Sequence, residues 1–444
     1  MSGLKHILLA NLVGVFALAC GIQSAQAQVN VAGSLQSGGY SNFARDRGTS
    51  VRERRRPGYE ALGFRAGSFL IWPKLSGVIE TNDNVYASSN NPESATVRRF
   101  APELTISSDW TRHALQAYAR GVINQYLGLP SENTNDYDLG LQLQLDVLRK
   151  ARINANTEWA ILSEPRTSAP SQGLSAPVQY ELTTAVLSGE REFNRLRTSA
   201  RLDLRQYDYL NRQGNPQQHD RDRFTSLLLG RVDYAVSPNS AIFFQVSGNR
   251  REYRLKSSPI VQTGAGPVAV YPGFQDRDSQ GIEVLSGANF QLSGLSRGEI
   301  GLGYLRQDYR DTRFGSITGL GARAQVEWFP TQLTSVTFSI LRNINDAGIA
   351  GAAGYVATDI GVQIDHELLR NLILGAQLSY GLDGYRAADR TDRRMTLGLT
   401  ASYLLNRHLG VTFGYNHFDQ QSRGAAGAGD FKVNKVSATL TMQK

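Results

Sequence analysis

The sequence predicts an all-β chain, a transmembrane antiparallel β-barrel of about 18 strands with both termini on the periplasmic side. Three observations predict it. From about residue 67 to the C-terminus, apolar and polar residues alternate with a period of two, segment after segment. Short and long polar connections alternate between those segments without a break. Beyond the N-terminus, no stretch approaches the ~20 apolar residues of a membrane-spanning helix. Composition agrees, with 44 glycines in 444 residues against a helical bundle or coiled coil.

Residues 1–27 read as a secretion leader. Lys5 supplies the positive start, residues 7–19 the apolar stretch, and Ala25-Gln26-Ala27 the small-residue cleavage site. Ala17-Leu18-Ala19-Cys20 is a rival lipobox that would lipidate Cys20, but Ala17 stands where that motif prefers leucine. Cys20 is the chain's one cysteine. The exported chain then has none, which excludes a disulfide framework, thiol catalysis and cysteine-held metal. Loss of the leader's one lysine takes the formal charge from +8 to +7. An exported, cysteine-free, glycine- and tyrosine-rich chain points to the outer membrane of a Gram-negative bacterium.

Residues 28–66 form a flexible basic periplasmic arm in this reading. Arg52, Arg54, Arg55 and Arg56 are its partner-contact candidates, either as a solvated tail or against an anionic polymer, lipid or periplasmic protein. The arm is too short for the folded plug of a TonB-dependent transporter.

Residues 67–444 form the barrel. In 137–147, Tyr137, Leu139, Leu141, Leu143, Leu145 and Val147 alternate with Asp138, Gly140, Gln142, Gln144 and Asp146. Residues 282–292, 320–328 and 395–403 repeat the pattern, with one face for lipid and one for a polar lumen. Short turns are expected near 110–111, 149–150, 193–194, 237–239, 293–295, 330–331, 369–370 and 406–407, with nine longer loops between them. Trp110, Phe193, Tyr234, Trp328 and Tyr403 mark one interfacial girdle. Tyr86, Tyr126, Tyr209, Tyr253, Tyr309, Tyr385 and Phe418 mark the other.

The expected lumen is charged. Arg195, Arg197, Arg201, Asp203 and Arg205 line one strand face, and Arg223, Arg231 and Asp233 the next. Tyr118 with Arg120, and Arg323 with Glu327, add further rows. Asp138, Asp146, Glu158, Glu181, Glu283, Asp359, Asp365 and Glu367 are the inward acids. Such rows either neutralise one another across adjacent strands or set up a transverse field that attracts carboxylate and phosphate groups. The loop near 254–277, with its apolar 263–267 and 268–271 stretches, is the candidate for an inward constriction.

No catalytic motif is present: no G-x-S-x-G, no H-E-x-x-H, no P-loop lysine. His417 and Asp419 are a pair at an outer rim, and His113, His366 and His408 lie beside expected turns. The chain is read as neither an enzyme nor a binder of metal, cofactor or nucleic acid.

Asp83-Asn84-Val85-Tyr86 ends the first strand, and Pro102, Leu104, Ser108 and Trp110 mark the second. With Gly67-Ser-Phe-Leu-Ile-Trp-Pro73 before them, these segments resemble the opening of the outer-membrane β-barrel (porin-2-like) family. The last strand resembles the closing strand read by the barrel assembly machinery, with Lys444 in place of a terminal aromatic. The resemblance implies an outer-membrane channel surrounded by lipid. Several members are linked to export of surface polysaccharide, so the expected function is an exopolysaccharide outlet served by a periplasmic export protein. The alternatives are a diffusion porin for small anionic solutes, or a structural or adhesive barrel that transports nothing.

Overall fold

The computed structural model describes residues 49–444 except 212–214, 216–217, 257–259, 264–265, 270–275, 293 and 350. The expected leader, Cys20 and residues 28–48 lie outside the described residues.

Eighteen strands, each of 13 to 16 residues, form one closed antiparallel barrel. They are β1 (Phe69–Asn82), β2 (Ala95–Ser108), β3 (Ala114–Tyr126), β4 (Thr134–Leu148), β5 (Ala151–Ser163) and β6 (Gln179–Glu192). Next come β7 (Leu196–Leu210), β8 (Arg223–Ser237), β9 (Ser240–Tyr253), β10 (Ser279–Leu292), β11 (Ser296–Tyr309) and β12 (Ser316–Thr331). The last six are β13 (Thr334–Asp346), β14 (Gly354–Leu369), β15 (Leu372–Tyr385), β16 (Thr391–Leu404), β17 (Leu409–Arg423) and β18 (Phe431–Gln443). Each strand pairs with the next. Closure comes from β1 on β18, in register from Lys74 opposite Gln443 to Asn82 opposite Lys435. Closure leaves no strand edge unpaired, the condition for sheet structure inside a bilayer.

All eight short turns fall where the alternation places them, and nine longer loops separate them. The two ends of the barrel are therefore unlike: a short-turn rim and a long-loop rim. The even strand count brings both ends of the barrel chain to the short-turn rim. Beside it, Phe64–Ala66 pairs with the start of β1, and the Lys444 ammonium sits 4.2 Å over the Phe64 ring.

Alternation decides which way each side chain points. Leu228, Ile242, Phe244, Leu302, Leu320 and Phe413 are more than half exposed on the outer face. Exposed apolar surface of this extent is a lipid-facing wall. There is no single core. Small apolar clusters tie loops to strand ends at the long-loop rim, among them Val178, Tyr180, Leu182, Tyr207 and Tyr209. Eighteen strands at ~4.8 Å spacing and ~40° tilt give roughly 35 Å between opposite backbones.

Trp110, Phe193, Tyr234, Trp328 and Tyr403 form the outward girdle expected at the short-turn rim. The expected second girdle is corrected. Tyr209, Tyr253, Tyr385 and Phe418 are buried inside the barrel, and the exposed aromatics toward the long loops include Tyr137, Trp159 and Phe224. A one-residue step reverses the face, so nearness to a loop does not fix direction. Glu181 is likewise corrected. It points outward and accepts the Trp159 indole N–H at 2.8 Å.

Candidate channel lumen and its two mouths

The inner wall carries the charged rows that the sequence placed there, and they are paired. Inward positions on β7 are Arg197, Arg201, Asp203 and Arg205. Arg205 Nε donates to Asp203 Oδ1 at 2.9 Å, and Arg201 Nη2 to Asp203 Oδ2 at 3.2 Å. Arg197 lies 3.6 Å from Asp233 on β8. Arg231 donates to Asp233 at 2.8 Å and to Glu299 of β11 at 2.7 Å, with its guanidinium 3.9 Å from the Phe243 ring centre. Arg197, Asp203, Arg205, Arg231 and Asp233 are each under a tenth exposed. Charges this enclosed persist only when paired and hydrogen-bonded. Of the two readings of the ladder, the geometry shows mutual neutralisation. Arg195 is not part of it, because it is exposed in the turn before β7.

The remaining candidates also face inward. Arg120 stacks 4.2 Å over the Tyr118 ring and donates to Asp138 at 3.1 Å, while Tyr118 Oη donates to Glu158 at 2.7 Å. Arg323 and Glu327 share the β12 inner face without pairing. Glu327 accepts Arg297 of β11 at 2.5 Å, and Arg323 acts on the Glu283 carboxylate of β10. Some inward donors meet no protein acceptor: Arg205 Nη1, Gln245 Nε2 and Gln291 Nε2. All three are enclosed in the wall rather than open to the lumen.

At the long-loop mouth, the described residues of the loop after β13, 347–349 and 351–353, fold inward. Ala347, Ala352 and Ala353 are almost wholly buried. The chain turns at Gly348 with φ +62°, where a Cβ would sit 3.4 Å from Pro170 and 3.5 Å from the Arg221 guanidinium. Pro170 and Arg221 belong to the loops after β5 and β7, roughly opposite β13 in the ring. At its base, Asp346 accepts the Tyr253 hydroxyl and lies 3.6 Å from Arg223 of β8. Arg221 is held in turn by Glu164 at 2.5 Å. Burial lowers the Arg221 pKa, but the Glu164 carboxylate overrides it and the net shift is upward. Of the loop expected to form a constriction, residues 257–259, 264–265 and 270–275 lie outside the described residues. Among its described residues, Ile260–Thr263 and Gly266–Ala269 pair with each other as a two-stranded sheet.

At the short-turn mouth lies the segment the sequence assigned to a flexible arm. Its described part, residues 49–66, rests on the barrel. Arg52 donates to Asp365 of β14 at 2.8 Å. Arg54 and Arg56 donate to Glu367 at 3.2 and 3.1 Å, and Arg54 also reaches the Gln332 carbonyl. Glu53 accepts Arg297 at 2.6 Å, and the Val51 amide donates to Ser335 Oγ at 3.3 Å. Arg55 alone turns back, 3.5 Å from Glu60. Asp365, Glu367, Arg297 and Ser335 are inward wall positions, so the segment occupies one side of the lumen. The partners of Arg52, Arg54 and Arg56 are acids of the barrel itself. These contacts join residues about 300 apart, and the sequence held only a faint signal: inward acids and a basic run.

A closed barrel with a lipid-facing exterior, a charged interior and loop-narrowed mouths defines an outer-membrane β-barrel of the porin type. The chain belongs to the family described as "Putative beta-barrel porin 2", whose model matches residues 56–444. No curated protein matches it. Among solved structures, the copper transporter OprC is similar at 9% identity and TM-score 0.46, covering 86% of this chain and 81% of that one. The siderophore receptor PirA from Acinetobacter baumannii stands at 8% and 0.45, covering 84% and 80%. OpdL from Pseudomonas aeruginosa stands at 12% and 0.43, covering 85% and 99%.

Proposed function

We propose that the barrel is a diffusion channel for small hydrophilic solutes. The observation that supports this best is the inward loop after β13, packed against Pro170 and Arg221 across the long-loop mouth. A narrowed mouth suits small solutes better than a folded or branched polymer. The wall chemistry is amphoteric, because its arginines and acids neutralise one another. Selection then rests on size rather than on strong anion preference.

A polysaccharide outlet is the second reading. It rests on the family resemblance rather than on the wall, because the inward Tyr118, Tyr355 and Tyr385 are buried and engaged with their neighbours. A deletion strain separates the two. The porin reading expects slower uptake of small solutes with normal surface and released polysaccharide. Lost surface polymer with normal uptake would overturn it in favour of the outlet.

A further inference from the structure

The two rims differ in charge. The eight short turns hold Arg112, Arg149, Lys150, Arg195, Arg370 and Arg407 against a single acid, Asp109, which Arg65 neutralises at 2.7 Å. The nine long loops are far longer, yet their acids and bases nearly balance. Lys150 is paired with Glu192 at 3.0 Å. Among the described residues, none of the five turn arginines has an ion-pair partner. Arg112, Arg149, Arg195 and Arg370 are exposed, and Arg407 is partly so.

Placement gives the surplus a partner. Each of the five follows a large, exposed apolar side chain by one or two positions: Trp110, Leu148, Phe193, Leu369 and Leu405. Those anchors belong to the lipid-facing wall and its aromatic girdle, which sits at headgroup depth. Nearby, the Arg191 guanidinium lies 4.8 Å from the Phe193 ring centre. The five turns are consecutive around the barrel, because β18 closes on β1. The three turns between β8 and β13 complete the circle and carry no charge.

We propose that this arc, from the turn after β14 round to the turn after β6, binds anionic phospholipid headgroups of the leaflet at the short-turn rim. Each apolar anchor enters the acyl boundary. The arginine beside it lies level with the phosphodiesters and donates to their oxygens. A soluble acidic partner would not need an apolar anchor beside every guanidinium. A single arginine near such a surface contributes about fivefold in headgroup affinity at low ionic strength.

The test uses the full chain, extracted from vesicles of equimolar phosphatidylglycerol and phosphatidylcholine, with retained lipid counted by native mass spectrometry. The wild type is expected to retain phosphatidylglycerol at least fivefold over phosphatidylcholine. The combined Arg112→Gln, Arg149→Gln, Arg195→Gln, Arg370→Gln and Arg407→Gln variant is expected to lose that preference. A control with Arg310→Gln, Arg313→Gln and Arg386→Gln on the long loops should keep it. If the combined variant fails to assemble, the single variants R149Q and R370Q are expected to show graded losses. Equal retention of the two lipids by the wild type, or a preference unmoved by these substitutions, would overturn the proposal. So would displacement of the retained lipid by millimolar inorganic phosphate.

Discussion

Replacing Glu367 by glutamine should release the N-terminal segment from the short-turn mouth. Glu367 accepts both Arg54 and Arg56, and Arg56 is only 7% exposed. Glutamine keeps the shape and removes the charge, which leaves the Arg56 guanidinium enclosed without a carboxylate. Its bonds to the Val51 and Arg54 carbonyls lie within the segment and travel with it. Breaking one partner of a buried pair costs about 3–5 kcal/mol. Arg54 is more exposed, and its share is screened to under ~1 kcal/mol. Taking ~3 kcal/mol, the ratio of docked to undocked segment falls more than about a hundredfold. Two readouts follow: tryptic cleavage within residues 52–56 of the folded barrel, and the reversal potential of single channels in a salt gradient. Undocking takes Arg52, Arg54 and Arg56 off the wall along with one acid, Glu53, and leaves Asp365 unpaired. Faster cleavage and a shift toward cation preference are expected together. Unchanged protection with an unchanged reversal potential would refute the reasoning.

Further predictions concern the wall, the loop and the lipid face. Asp233→Ala removes the carboxylate shared by Arg231, Arg197 and Asn289, and should destabilise the barrel by about 3 kcal/mol in urea titration. A loss under about 1 kcal/mol would mean solvent already screens that cluster. Removing residues 348–352 should raise single-channel conductance, and unchanged conductance would show that the loop does not narrow the path. Leu228→Arg, placed mid-strand on the lipid face, should cost about 2–4 kcal/mol of stability in bilayers. A neutral result there would reverse the assignment of faces on β8.

The barrel itself was legible because its rule is local. In Thr134–Leu148 each residue's side follows from its neighbours two away, and Arg149-Lys150 breaks the alternation where β4 ends. Direction at strand ends was less legible. Tyr209 and Tyr253 lie next to loops, yet parity turns them inward, and Glu181 misleads in the opposite sense. The mouths were hardest to read, because they depend on contacts between distant segments. Nothing near Arg52 or Arg56 in the sequence points to Asp365 or Glu367. The inward loop did leave a trace. Ala347-Gly-Ile-Ala-Gly-Ala-Ala353 holds no polar side chain, unusual for a loop in water.

The central claim is a water-filled path of limited width, and swelling of vesicles carrying the purified barrel tests it most directly. With a series of neutral sugars of increasing size, the account predicts fast swelling in monosaccharides and progressively slower swelling in longer oligosaccharides. No swelling in any sugar, or equal rates from monosaccharide to long oligosaccharide, would contradict it.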